Sequence, residues 1–309
     1  MPAALGHTAR DREVCTRPRA LPEEDLSTTV YYQWEDENGQ THLSDTPPTN
    51  RIAAVINNYG EKTDFTYHVE ADGADIPPDF EGKLIASSKR IFDTWHFFLG
   101  GEKLRRAEIS LRFIGGPGRY KAVREKAWPG GPPSYGFYSP NTNWAYVKYE
   151  EGNPDQALRT ARHEISHLIT TTHLGPTPVW LTEGLAEYFE TMSVEWQKGT
   201  IPPNQAHLDT LRRERLPDLR EYLALDRKAW HGPQRSLNYA IAWSLIHFLM
   251  EGAPGMYALK DVVEASEENF CKDFDLVTAL GRAYPGGLSK LELDWRQWIT
   301  HDVTWIHQT

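Results

Sequence analysis

An amphipathic helix over residues 154–172 limits the architectures open to this chain more than any other stretch does. Ala157, Leu158, Ala161, Ile165, Leu168 and Ile169 recur at helical spacing and cover an arc of about 120° on a helical wheel. The far side carries His163-Glu164-Ile165-Ser166-His167. Histidines at i and i+4 project one turn apart, so both imidazoles reach a single tetrahedral ion. Glu164 lies about 100° round the helix from His163. That is beside the pair, where a general base for a metal-bound water belongs. One face must pack on a core while the other overlooks a cleft.

A second helix begins near Pro178, in Trp180-Leu181-Thr182-Glu183-Gly184-Leu185-Ala186-Glu187-Tyr188. Glu183 follows His167 after fifteen intervening residues, enough for a loop and a reversal into an antiparallel helix. It can supply the third ligand of a His₂Glu site and leave the fourth position open. Glu187 falls one turn later on the same face. A carboxylate there can accept a hydrogen bond from the free N–H of a ligand histidine, fixing its tautomer.

The surroundings read as an α+β protein. Tyr32 and Trp34 alternate with polar residues, Glu37-Asn38-Gly39 supplies a turn, and Thr41-His42-Leu43 resumes an extended pattern, which predicts a hairpin. Residues 65–69 form another plausible strand, and Pro77-Pro78 marks a boundary. Beyond it Leu84, Ile91, Trp95 and Phe98 predict a helix over 80–99, and residues 108–113 a strand that stops at Gly115-Gly116-Pro117. A second strand covers 143–149, and from about 155 the pattern is helical to the end. The expected organisation is a disordered lead-in over 1–26, a small β module over 27–78, and a larger domain over 79–309. That domain divides into an α+β half (79–174) and a helical half (175–309).

Composition narrows the function classes. A net charge of −10 argues against a phosphate-backbone partner, so nucleic acid is not expected. No segment approaches the ~20 consecutive apolar residues of a membrane span. Cys15 and Cys271 stand at opposite ends of the chain and read as unrelated thiols rather than a disulfide framework or a metal site. The first thirty residues carry charges and prolines where a secretory signal would show an apolar run.

His163-Glu164-Ile165-Ser166-His167 followed by Trp180-Leu181-Thr182-Glu183-Gly184-Leu185-Ala186-Glu187-Tyr188 resembles the gluzincin zinc metallopeptidases, and in particular the bacterial peptidase-MA-like group. The resemblance extends over roughly residues 80–309. It implies a gluzincin-type domain in which His163, His167 and Glu183 bind Zn²⁺ and Glu164 is the base. The helix beginning near Ser236 resembles the tyrosine-bearing helix of that group, which makes Tyr239 the expected donor to the oxyanion, with His231 as its rival. The strand bearing Trp144 and Tyr146 can be the sheet edge that pairs with an extended substrate, as in gluzincins generally, or a buried member of the sheet. His173 and His247 read as core or loop histidines. The Gly-x-Met-Glu-Asn signature of the zinc aminopeptidases is absent, which disfavours an exopeptidase of that type.

The N-terminal pattern Tyr32-x-Trp34-x-Asp36-x-x-Gly39-x-x-His42-x-x-Asp45-x-Pro47-Pro48 is similar to a small bacterial domain of unknown function found in exported proteins. It implies a periplasmic or envelope setting. The expected function is zinc-dependent hydrolysis of peptide bonds, of endopeptidase type, by a zinc-bound water that Glu164 activates, with a peptide or protein as substrate. The alternative is a catalytically silent, zinc-bearing binding or scaffold protein of the bacterial envelope.

Overall fold

The computed structural model describes residues 30–35, 41–44, 54–57, 65–130, 133–195, 198–301, 303 and 306–308 of the chain, with side chains from Phe65 onward. The expected lead-in over 1–26, Cys15, the turn at Glu37-Asn38-Gly39 and the Asp45 to Pro48 segment lie outside these residues.

The N-terminal strands β1 (Val30–Glu35), β2 (Thr41–Ser44) and β3 (Ala54–Asn57) form an antiparallel sheet in the order β2-β1-β3. Trp34 pairs with His42 in the expected hairpin, and Tyr32 pairs with Val55 on the other side.

The principal sheet holds β4 (Phe65–Asp72), β5 (Ala107–Gly115), β6 (Gly136–Ser139) and β7 (Trp144–Tyr149) in the order β4-β5-β7-β6. The first three neighbours run parallel, and β6 returns antiparallel to β7. β4 and β5 are joined through helix α1 (Phe80–Lys103), as a parallel pair requires a long crossover. The boundary expected at Pro77-Pro78 is thereby corrected. β4 pairs along its whole length with β5, so the larger unit begins no later than Phe65. Alternation alone could not tell which sheet that strand would join.

Both faces of this sheet are covered. Ile109, Leu111 and Phe113 on β5 point into the main core with Leu84, Ile91, Trp95 and Phe98 of α1. Ile114 and Tyr146 instead join Phe137 and Tyr120 in a second cluster under helix α2 (Pro117–Ala127). This explains why β5 is buried along most of its length although its sequence alternates apolar and polar residues from Ala107 to Phe113.

Helix α3 (Pro154–Leu174) lies on the main-core side, burying the stripe of Ala157, Leu158, Ala161, Ile165, Leu168 and Ile169. Its start is set by Pro154 at the first helical position and by the Asn153 side chain, which accepts from the Gln156 N–H at 3.4 Å. Gly175, at φ +67°, ends it in a conformation that disfavours side chains. Helix α4 (Val179–Glu190) follows.

The helical half continues through α5 (Gln205–Arg213), α6 (Leu219–Leu223), α7 (Arg227–Trp230), α8 (Arg235–Glu251), α9 (Ala253–Glu268), α10 (Leu276–Ala283) and α11 (Gly287–Thr300). α8 is its axis. Leu237, Ile241, Trp243, Leu245, Ile246 and Leu249 are all buried, as in a helix surrounded by others. A Cβ on Gly184 of α4 would lie 2.8 Å from both the Ala242 carbonyl and Ile246 of α8. Only glycine lets the two backbones approach so closely.

The fold is α+β, with small sheets and a helical C-terminal half. One departure is a sheet within that half, in which β8 (Ser193–Glu195), β9 (Lys198–Ile201) and β10 (His307–Gln308) pair antiparallel. The cysteine expectation also changes, because Cys271 is disulfide-bonded rather than a free thiol. No helix among the described residues is long and apolar enough to cross a membrane.

Candidate metal centre

α3 and α4 bring three donors to one point. The His163 and His167 rings stand 4.8 Å apart at 80° to each other. Their Nε2 atoms lie 3.5 Å and 3.6 Å from the same atom, Glu183 Oε2. In a tetrahedral zinc site with bonds of about 2.0–2.1 Å, neighbouring ligand atoms are about 3.3–3.4 Å apart. Both histidine-to-glutamate distances are therefore near the edge of that tetrahedron, and all three donors lie within 4.8 Å of one another. Glu183 Oε2 is buried without a hydrogen-bond partner, an expensive state for a carboxylate oxygen that nothing else engages. The three side chains remain 14 %, 15 % and 12 % exposed, so the point opens onto solvent.

The electrostatics agree with a positive charge at that point. Burial disfavours ionised Glu183, yet the nearby charges of His167 and His163 prevail and hold it down at about 2. His163 is likewise opposed by burial, but Glu183 and Glu190 raise it well above the ordinary histidine value. Burial takes His167 down to about 4, leaving it neutral as a ligand must be.

Glu164 is not one of the three donors, and its carboxylate reaches β6. Burial pushes it up to about 8 against the charge of His163. The Tyr138 backbone N–H of β6 hydrogen-bonds its carboxylate, and Oε2 is buried and unpartnered. A Cβ on Gly136 would fall 2.7 Å from Glu164 Oε1 and 2.5 Å from Thr160 Cγ2. Glycine at this place is what leaves room for the carboxylate.

The carboxylate behind His163 is not the expected one. Its Nδ1–H donates to Glu190 Oε2 at 3.1 Å, whereas Glu187 Oε1 stands 4.0 Å away. Glu187 instead accepts from His207 Nε2 of α5 at 2.9 Å. Glu190 is in turn approached by Arg159 at 3.4 Å, and its backbone carbonyl accepts from buried Arg162 at 3.3 Å. The role expected of Glu187 thus passes to Glu190, seven residues after Glu183 and on the same helical face. That spacing was visible in the sequence. His207 was not, because only packing of α5 on α8 delivers it.

The remaining expectations divide. Tyr239 and His231 both reach the neighbourhood of the site. Tyr239, raised chiefly by burial, also feels the Glu183 charge, and His231, lowered by burial, is opposed by that same carboxylate. Tyr239 is half-buried against the Trp230 ring, with centroids 4.6 Å apart. His231 is exposed. His173 and His247 are fully buried core residues. Trp144 and Tyr146 are not brought to the site. β7 is paired on both sides, and both side chains belong to the cluster on the α2 face, where Arg112 lies 4.9 Å over the Trp144 ring. The expected substrate-pairing edge is corrected accordingly. The sheet edge nearest Glu164 is β6, a strand of four residues.

Two stretches of the chain match known families. Residues 158–265 match a family described as "Protein of unknown function (DUF1570)", and residues 26–63 match a "Domain of unknown function (DUF4124)". The first match contains the donor triangle, Glu164, Glu190 and the Tyr239 helix, and the second contains β1 to β3. No curated protein matches the sequence.

Proposed function

We propose that this chain is a zinc-dependent peptide-bond hydrolase of gluzincin type. The observation that carries the reading is the convergence of His163 Nε2, His167 Nε2 and Glu183 Oε2 beside a buried carboxylate, Glu164, that takes no part in that triangle. These three residues would hold the metal, and a zinc ion bound there supplies Lewis-acid polarisation of a carbonyl and acidification of a water. A structural zinc site closes with four protein ligands and has no use for such a base.

Glu164 accepts a proton from the attacking water and returns it to the leaving amine nitrogen. Its burial keeps a proton taken up there from exchanging with bulk water between the two steps. The Tyr138 N–H and the space left by Gly136 keep its carboxylate in place. The Tyr239 hydroxyl, raised far above the ordinary phenol range by burial, keeps its proton and can donate to the oxygen of the carbonyl under attack. The β6 edge offers backbone groups against which an extended peptide can lie.

The setting we propose is the periplasm or cell envelope. The disulfide at Cys271 supports an oxidising compartment, as does the resemblance of the N-terminal module to a domain of exported proteins.

Metal content and casein cleavage, measured for the wild type beside Glu164→Gln, test the reading. One zinc per chain in both with cleavage only in the wild type is the expected result. Zinc in both with cleavage in neither favours a silent binding protein. No zinc in either, with the fold intact and metal in excess, refutes the site.

A further inference from the structure

The rim of the cleft is cationic, in a chain whose net charge is −10. Arg235, Tyr239 and Ala242 follow one another on α8 at i, i+4 and i+7, which places them on one face. At Ala242 that face meets the backbone of Gly184, the residue next to Glu183. Arg235 therefore stands about 10 Å up the helix axis from the level of the donor triangle. Its guanidinium lies 5.3 Å over the Tyr239 ring.

The preceding corner is fastened to the same place. Trp230 packs on Tyr239 at 4.6 Å and its carbonyl accepts from Asn238 Nδ2 at 2.7 Å, while Tyr222 donates to the Asn238 carbonyl at 2.8 Å. This anchors α7 and holds Arg227, Lys228 and His231, all exposed, beside the mouth. The charge of Arg227 is felt at His167 and that of His231 at Glu183. Arg227, Lys228 and Arg235 have no ion-pair partner among the described residues. The acidic neighbour Asp226 is occupied in capping α7, accepting from the Ala229 N–H at 2.7 Å.

We propose that this corner, built from Arg227, Lys228 and Arg235 around the Trp230–Tyr239 pair, selects peptides that carry a carboxylate near the bond held over the metal centre. The proposal rests on the hydrolase reading for the place where the peptide lies. A carboxylate there meets Arg235, already held over the Tyr239 ring and partly screened from solvent by it, with the exposed charges of Arg227 and Lys228 adding to the same attraction. The carboxylate can belong to an acidic side chain or to a peptide C-terminus.

The test is binding, not turnover. Zinc-loaded Glu164→Gln protein is titrated with three fluorescein-labelled peptides on one scaffold: glutamate-bearing with an amidated end, neutral with a free C-terminus, and lysine-bearing with an amidated end. One or both carboxylate peptides bind about tenfold tighter than the lysine peptide, and which of them gains identifies the source. Adding Arg227→Glu and Arg235→Gln brings the affinities close to equality. Raising the salt from about 0.1 M to about 1 M does the same, as the Debye length falls from about 10 Å to about 3 Å. The exposed Lys228→Glu alone gives a partial loss, which covers the case in which the Arg235 variant folds poorly. Equal affinities in the parent protein, or a preference unchanged by these substitutions, overturns the proposal. Absence of casein cleavage by the wild type would sink the hydrolase reading while this binding preference stands or falls separately.

Discussion

Acid should destabilise this protein through His173, and the size of the effect follows from that residue's surroundings. His173 sits in the last turn of α3, fully buried, with its ring stacked on Trp95 at 5.3 Å. Its Nδ1–H donates to the Ile169 carbonyl at 2.8 Å, and Nε2 accepts from the Arg105 backbone N–H at 3.0 Å. A proton on Nε2 would exchange the Arg105 N–H for the Arg105 carbonyl, 3.1 Å away, and place a charge in the core. Burial, above all, therefore holds the residue at about 4 instead of the ordinary 6.5. Between those values the unfolded chain binds the proton and the folded chain does not, so stability rises with pH across the window. The contribution is complete above 6.5 and is lost as pH falls toward 4. At 1.36 kcal/mol per unit, moving from pH 7 to about pH 5 traverses some 1.5 units of the window and removes about 2 kcal/mol. Urea denaturation at the two pH values, for the wild type and for His173→Gln, measures it. The substitution lowers stability at pH 7, but the wild type should then lose about 2 kcal/mol more than the variant on acidification. The double difference cancels the pH dependence of His247 and His307, which burial holds at about 3 and about 4. An identical pH dependence in the two proteins would refute the reasoning.

Four further substitutions probe the site and its frame. Gly136→Ala places a methyl group 2.5 Å from Thr160 Cγ2 and 2.7 Å from Glu164 Oε1. It should cost about 1–3 kcal/mol by overpacking and, by moving the base on the order of 1 Å, reduce casein cleavage about a hundredfold; a wild-type melting curve would count against the geometry. Glu190→Gln should weaken zinc binding by about 10–100-fold in a competitive chelator titration. Glu187→Gln should weaken it less, and the reverse order would restore Glu187 to the position behind His163. Gly184→Ala forces α4 and α8 apart at the Ala242 carbonyl and should destabilise by about 1–3 kcal/mol in thermal or urea unfolding.

The parts of this protein legible in its sequence are those written within a single element. The buried stripe of α3, the pair His163 and His167 opposite it, and Glu183 on a following helix all follow from a period of 3.6 residues. The alternation of Glu108-Ile109-Ser110-Leu111-Arg112-Phe113 marked β5 as a strand by its period of two. Partnership between elements was decided elsewhere. Period-two alternation does not say which strand lies alongside, so β4 went to the principal sheet, and β7 became interior with Trp144 and Tyr146 on the far face. On α4, Glu187 and Glu190 stand only about 40° and 20° to either side of Glu183, too close for a helical wheel to rank them. The crossing of α3 over α4 aims His163 Nδ1 at Glu190, and the packing of α5 gives Glu187 to His207. A hydrogen bond depends on distances of a few tenths of an ångström. Local periodicity fixes which face a residue occupies, and only the packing of one helix on another sets distances that fine.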